Sequence, residues 1–186
     1  MNEFIENNFR HILCILLLFS RLGDVGSTYL VSPTLKLEAN PLAKKLGWPF
    51  MVLSLLVCLL PYYDAGLAIM ALVPSLLVSS SNISKFWMVK ALGETGYSMM
   101  VSSVAARSKK SHVLFSNLTA AFFIILAGFV LLLLCPDSEG PAFWFGTGIV
   151  LYGVITAFYG LLYFRKIFKK TIPQPSPKTH NEQPRI

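Results

Sequence analysis

The stretch from Phe122 to Cys135, FFIILAGFVLLLLC, decides the fold class of this chain. It is almost wholly apolar, and the turn PDSEGP at 136–141 follows it with two prolines, a glycine and two acidic residues. A helix needs about 20 apolar residues to cross the hydrocarbon core of a bilayer. Because the turn is rich in helix breakers, we predict membrane-spanning helices on both sides of it, at 113–135 and 142–164.

The composition of the whole chain agrees with a membrane protein. Of its 186 residues, 54% are hydrophobic and 13% are charged, and the mean hydropathy is +0.61. Soluble domains carry about 25% charged residues. The net charge is +7, but the Lys and Arg residues lie in short segments between apolar runs, which is typical of topology determinants. We therefore expect contact with a lipid bilayer and no nucleic-acid partner.

Three further spans are predicted before the acidic turn. The first is interpreted as an uncleaved span, because Arg21 and Asp24 stand where a signal peptide would have small residues. The run 49–80 is longer than one span requires and contains Pro61 and Pro74. It is either one long, kinked helix or a short re-entrant piece followed by a span. The predicted spans are 10–32, 49–80, 84–106, 113–135 and 142–164.

Clusters of basic residues in the loops predict the orientation. The positive-inside rule places all of them in the cytoplasm, and it places the acidic turn and the short link at 79–82 outside. The clusters are Lys36, Lys44 and Lys45; Arg107, Lys109 and Lys110; and Arg165, Lys166, Lys169 and Lys170. We predict an all-α polytopic bundle of about five spans over residues 1–170, N-terminus out and C-terminus in. The polar, proline-rich stretch 171–186 is predicted to be a disordered cytoplasmic tail.

The first three spans carry charged residues far from their ends, namely Arg21, Asp24, Asp64, Lys90 and Glu94. Each would cost about 2.5–3.5 kcal/mol if it faced lipid alone, so they must face one another or a wet cavity. Spacing of three and four residues predicts the ion pairs Arg21–Asp24 and Lys90–Glu94. Asp64 has no partner on its own helix, which makes it a candidate proton carrier, ion ligand or counter-ion. The alternatives are purely structural pairs and an Asp64 lifted into water.

The most distinctive stretch is Asp24-Val25-Gly26-Ser27-Thr28, followed by Glu38-Ala39-Asn40-Pro41. Ser27 and Thr28 lie three and four residues after Asp24, so a carboxylate and two hydroxyls share one helix face. Oxygen ligands of this kind suit a hard cation or a polar headgroup. The alternative for the second motif is an Asx-type turn that caps the loop, with Glu38 in solvent.

These two motifs resemble a family of small uncharacterised bacterial and archaeal multi-span membrane proteins. The family has an Asp-x-x-Ser-Thr pattern that ends a first span and a Glu-x-Asn-Pro pattern in the next loop. The resemblance covers residues 10–48 and implies a shared core of about four spans. Residue by residue, it points to Asp24, Thr28, Glu38, Asn40 and Pro41. It implies no particular activity.

Metal and cofactor chemistry is not indicated. Cys14, Cys58 and Cys135 lie apart within apolar runs, and no zinc-type Cys/His spacing is present. We therefore expect neither a metal site nor a cofactor.

Three functional hypotheses remain. The first is binding or translocation of a small polar or ionic solute in a charged cavity between the first three spans. Because no internal repeat is visible, such a protein would be expected to form a homodimer. The second is a membrane enzyme that acts on a lipid or lipid-linked headgroup, and the third is a scaffold or assembly factor. The expected location is the plasma or inner membrane of a prokaryote.

Overall fold

The computed structural model describes residues 2–38, 40–135, 137 and 140–170. Within this part the chain is all-α, without strands. The helices are α1 (Asn2–Val31), α2 (Pro41–Leu46), α3 (Trp48–Leu53), α4 (Leu60–Tyr63), α5 (Ala65–Arg107), α6 (Lys110–Leu134) and α7 (Pro141–Lys170), with a 3-10 helix over Ser54–Leu59. The predicted tail at 171–186 lies outside the described residues.

Four helices in the described part are long and apolar enough to cross a membrane, at Asn8–Val31, Ala65–Arg107, Lys110–Leu134 and Pro141–Lys169. Large apolar side chains on the outside of the bundle are exposed, for example Phe122, Phe123 and Leu133 of α6. Such a surface is stable when lipid surrounds it. The chain therefore has the features of a multi-pass membrane protein.

The predicted division into spans 49–80 and 84–106 is wrong. The described helix runs through the expected link at 79–82 without interruption. Ser79 is tolerated there because its hydroxyl donates to the carbonyl of Ser75, one turn earlier, at 2.8 Å. The chain breaks instead at Asp64, which has extended backbone angles and caps the first turn of α5.

The residues 48–63, here called the return segment, run back along α1 in the opposite direction. The Trp48 indole donates to the Pro33 carbonyl at 2.9 Å, beyond the end of α1. Near the start of α1, His11 lies 2.8 Å from the Tyr62 hydroxyl. The segment therefore follows α1 for most of its length, although it is made of short helical pieces.

Helix α5 runs parallel to α1. Ser20 bonds to the Leu72 carbonyl at 3.1 Å, and Thr28 lies 3.1 Å from Asn82, so residue numbers rise together along the two helices. With 43 residues, α5 would be about 64 Å long if straight, twice the thickness of a hydrocarbon core. It bends at Gly93, whose φ of 69° and ψ of 164° lie outside the helical region.

Helices α6 and α7 form an antiparallel pair that packs on α5 through glycines. A side chain at Gly128 would meet the Gly146 carbonyl at 2.8 Å, so the two backbones lie in close contact. Helix α7 is parallel to α5 and begins beside it, because Gly66 lies against the indole of Trp144.

Gly148 of α7 lies against the carbonyl of Met70. Proline has no N–H, so Pro74 leaves that carbonyl without its usual helical partner. The close approach of α7 thus covers the one place where the α5 hydrogen-bond ladder is interrupted by proline.

The bundle therefore has two distinct ends. The turn end contains Tyr63, Asp64, the end of α6 and the start of α7. The basic end contains the loop 32–40, the bend at Gly93 and the junction of α6 with the end of α7, where the Lys110 ammonium lies 5.7 Å from the Phe168 ring centre.

Candidate functional site

The buried polar side chains of the described residues concentrate on one face of α1 and the face of α5 that packs on it. On α1 they are Ser20, Asp24, Ser27 and Thr28, whose spacing of four, three and one residues places them on the same side of the helix. Ser32 follows directly after α1, and Ser75 lies on α5. Asp24 is 8% exposed.

Arg21 is the central hydrogen-bond donor of this face. Its Nη1 lies 2.7 Å from the Asp24 carboxylate and 3.0 Å from the Ser75 hydroxyl, and its Nη2 lies 2.5 Å from Ser54. Arg21 thus links α1, the return segment and α5. The predicted Arg21–Asp24 pair is present. Ser54 and Ser75 were not predicted, since only their position as lone hydroxyls in apolar runs distinguished them.

Asn82 makes the next connection, one turn closer to the basic end. Its amide donates to Ser27 at 3.3 Å and to Thr28 at 3.1 Å. The Ser27 hydroxyl donates in turn to the Asp24 carbonyl at 3.1 Å. Thr28 therefore belongs to the same cluster as Asp24. Its partner Asn82 lies in the stretch 79–82, for which the sequence predicts an external link.

We call this cluster the polar seam. It consists of Ser20, Arg21, Asp24, Ser27, Thr28, Ser54, Ser75, Ser79 and Asn82. Gly23 allows the close approach of Ser79, whose hydroxyl would lie 3.3 Å from a side chain added at that position. Because Ser75, Ser79 and Asn82 follow one another at helical spacing, the seam continues along α5 toward the basic end.

Toward the turn end, the seam gives way to an apolar plug. The plug consists of the buried side chains Leu13, Leu17, Cys58, Ala68 and Ile69, which pack against one another. Leu17 is completely buried, one turn from Ser20. The interface between α1 and α5 is thus polar in one half and apolar in the other.

Toward the basic end, the seam reaches the loop 32–40. Ser32 is buried, and its hydroxyl accepts a hydrogen bond from the Leu37 N–H at 3.0 Å. Leu35 is also buried and has a left-handed φ of 56°, which is unusual for a residue other than glycine. The loop is therefore folded onto the end of the seam.

The Glu-x-Asn-Pro motif forms the start of α2. Asn40 accepts from the Leu42 N–H at 3.0 Å and is the N-cap, with Pro41 in the first turn. This agrees with the capping alternative. Glu38 accepts from the Asn40 N–H at 2.8 Å but is half-buried, so it is not simply in solvent. Its carboxylate is close enough to Asp24 and Lys85 for their charges to interact.

The predicted pair of Lys90 and Glu94 is wrong. Gly93 lies between them in a non-helical conformation, so four-residue spacing no longer brings the two side chains together. Lys90 is exposed and lies 5.9 Å from the Phe86 ring centre. The carboxylate of Glu94 instead accepts from the Thr34 N–H at 3.0 Å and from the Thr34 hydroxyl, which fastens the loop to α5.

Asp64 is not a lone carboxylate within a span. It lies at the junction of the return segment with α5, where its side chain accepts from the Leu67 N–H at 2.7 Å. A carboxylate at a helix N-terminus is stabilised by the free N–H groups and the helix dipole. Asp64 is therefore separated from the polar seam by the apolar plug.

A cavity of about 340 Å³ lies beside Arg21, between the return segment, α5 and α7. Its lining is mainly apolar, with Leu60, Leu67, Met70 and Ile155 among the side chains. Within the described residues, no three His, Cys, Asp or Glu side chains are arranged to hold a metal ion. Comparison with family models, curated proteins and solved structures found no match to this chain.

Proposed function

We propose that this multi-pass membrane protein binds or translocates a small polar or ionic solute at Asp24, which the solute reaches from the cytoplasm through the polar seam. The observation that carries the proposal is the division of the α1–α5 interface into a polar half and an apolar half. Ionisable groups inside a membrane bundle are costly, and they commonly mark solute or proton pathways. The apolar plug closes the seam toward the turn end, so a solute would enter from the basic end, past the loop 32–40 that folds onto it.

The orientation rests on five crossings, with the return segment as the second. Ten helical residues and six in the 3-10 conformation span about 27 Å, close to the thickness of a hydrocarbon core. The N-terminus would then lie outside and the C-terminus inside. All three basic clusters fall at the basic end, which makes it the cytoplasmic end by the positive-inside rule.

The charges near the seam constrain the solute. Arg21 and Lys85 are cationic, Asp24 and Glu38 are anionic, and their formal charges sum to zero. A solute with a net charge would therefore need one of these groups to change its own charge or to move away. A proton is the smallest such solute: on Asp24 it neutralises the carboxylate that pairs with Arg21, so the guanidinium would have to move away from Asp24.

Access to the seam can be tested with a membrane-impermeant thiol reagent. The background has Cys14, Cys58 and Cys135 replaced by alanine. We expect Ser27→Cys to react from the cytoplasmic side, because it lies in the polar half of the interface. Leu17→Cys in the apolar plug should not react, and neither should Leu22→Cys, which lies at similar depth on an exposed face of α1.

The outcome separates a solute site from a scaffold. If Ser27→Cys reacts no faster than the two controls, the seam is dry and its polar groups serve only to hold α1 and α5 together. Flux then tests the solute itself: proteoliposomes with an internal pH dye should acidify faster with wild-type protein than with Asp24→Asn. Equal rates would exclude proton movement through Asp24. The same comparison of wild-type protein with Asp24→Asn is then made by measuring the uptake of sodium and of potassium.

A second candidate is an enzyme that acts on a lipid headgroup. It is favoured by Glu38, a half-buried carboxylate in the loop at the cytoplasmic end of the seam, which accepts from the Asn40 N–H. Two carboxylates near the membrane surface could serve as acid and base. Headgroup turnover in mixed micelles that is lost in Glu38→Gln, without reactivity of Ser27→Cys, would favour this candidate over solute binding.

A further inference from the structure

A second cavity, of about 390 Å³, lies at the basic end between the start of α6 and the last turns of α7. It is separate from the polar seam, which lies between α1 and α5. Six residues line it: Lys110 and Leu114 of α6, and Leu161, Arg165, Phe168 and Lys169 of α7. Within the described residues, no other element contributes to the lining.

The polar part of this lining is entirely cationic. Arg165 and Lys169 are four residues apart on one helix face, a spacing at which like charges repel. Lys110 faces the same space from α6, and the lining contains no acidic side chain. The three cations therefore form a site for an anion.

The start of α6 adds to this positive field. Lys109 is the N-cap of α6 and makes no side-chain capping hydrogen bond. The first N–H groups of a long helix carry partial positive charge and favour anions such as phosphate. Because Lys110 is the first residue of α6, these N–H groups lie next to the cationic side of the cavity.

The other part of the lining is apolar, which identifies the ligand as an amphiphile. Leu114, Leu161 and Phe168 supply hydrocarbon surface in the same cavity as the three cations. A free phosphate would leave that surface unused. A membrane lipid instead presents a phosphate and an acyl chain at this depth, and basic pockets between helices at the cytoplasmic face suit anionic headgroups.

We propose that this cavity is a binding site for an anionic phospholipid of the cytoplasmic leaflet. The phosphate binds to Lys110, Arg165 and Lys169, and the first part of an acyl chain packs on Leu114, Leu161 and Phe168. The lipid joins the first turn of α6 to the last turns of α7, beyond the contact of Gly160 with the Asn117 side chain. The site is independent of any solute bound at Asp24.

The test is native mass spectrometry of the purified protein with phosphatidylglycerol or phosphatidylcholine. We expect wild-type protein to retain phosphatidylglycerol selectively. Replacing Lys110, Arg165 and Lys169 by glutamine should weaken the binding of phosphatidylglycerol on the order of a hundredfold, since each basic residue near an anionic membrane surface strengthens binding about fivefold. The matched control replaces Lys44, Lys45 and Lys166, which removes three charges from the same end but none from the cavity lining.

Two further measurements distinguish a lipid headgroup from free phosphate as the ligand. Phe168→Ala should weaken the binding of phosphatidylglycerol and leave the binding of inorganic phosphate unchanged. The proposal is overturned if the two triple variants lose lipid equally, if phosphatidylcholine binds as well, or if millimolar inorganic phosphate displaces the lipid. If the cavity triple variant does not purify as a folded protein, Arg165→Gln alone provides the same comparison against Lys166→Gln.

Discussion

Arg21 and Asp24 form an ion pair across one turn of α1, with the guanidinium Nη1 2.7 Å from the carboxylate. The same guanidinium bonds to Ser54 and Ser75, so it joins three segments that are distant in sequence. A buried pair of this kind has little net effect on stability when both members are present, because desolvation offsets their attraction. Removal of only one member is strongly destabilising, because it leaves the other charge buried without a partner.

The first prediction concerns these two residues. Asp24→Asn leaves the buried Arg21 charge uncompensated and should lower the free energy of unfolding by about 3–5 kcal/mol. Arg21→Gln should have a similar effect. The double variant should lose less than the sum of the two, since it leaves no unpaired charge. Unfolding in mixed micelles by added sodium dodecyl sulfate, followed by circular dichroism, measures all three, and strictly additive losses would show that the pair is not coupled.

Local spacing made part of this site predictable. Arg21, Asp24 and Thr28 lie on one helix, where three and four residues always bring side chains to the same face. The partners Ser54, Ser75 and Asn82 come from other segments. Their positions depend on the parallel packing of α5 on α1, which no local pattern encodes.

The errors in the sequence prediction have a common cause. The stretch 79–82 reads as a polar link, but hydroxyls buried against another polar face are compatible with a continuous helix. Asp64 reads as a buried charge, yet as an N-cap it begins a helix. Gly93 has a non-helical conformation, so Lys90 and Glu94 do not share a helix face. A single glycine in the sequence of a membrane helix does not indicate that the helix bends there. In each case tertiary contact decides between two locally acceptable conformations.

The second prediction tests whether the return segment crosses the membrane. In the cysteine-free background, Lys44→Cys should react only from the cytoplasmic side. Tyr63→Cys, at a position that is 85% exposed, should react only from the outside. The expected result follows from the contacts of the return segment with α1 from Pro33 to His11. If both positions react from the same side, the segment is re-entrant and the bundle has four crossings.

The third prediction concerns the bend in α5. Gly93 has a φ of 69° and a ψ of 164°, a combination that is essentially restricted to glycine. Gly93→Ala should destabilise the protein by about 1–3 kcal/mol, although nothing lies within 4 Å of the added methyl group. It should also loosen the bond from the N–H of residue 34 to the Glu94 carboxylate, which Thr34→Cys retains, so that cysteine should react faster with a thiol reagent.

Glu94→Gln is the control for that experiment, because it weakens the contact with Thr34 while the glycine backbone is kept. It should accelerate the reaction at Thr34→Cys with a smaller loss of stability than Gly93→Ala. Equal stability of Gly93→Ala and wild-type protein would mean that the bend is not required by the packed bundle.

The fourth prediction concerns the contact between α5 and α7. A methyl group at Gly66 would overlap the indole of Trp144, and the glycine is buried, so Gly66→Ala should separate the two helices and lower the stability. Gly26→Ala is the matched control: it makes the same change in a helix with nothing within 4 Å, and should be neutral or stabilising by about 0.5–1 kcal/mol.

Steric overlap at Gly66 also predicts a specific rescue. Trp144→Leu removes the ring that the new methyl group meets, so Gly66→Ala should cost less in that background than in the wild type. Unfolding in mixed micelles measures the four proteins of the cycle. If Gly66→Ala costs the same in both backgrounds, the indole does not limit the approach of α7, and the parallel packing of α7 on α5 would have to rest on Gly148 at the Met70 carbonyl.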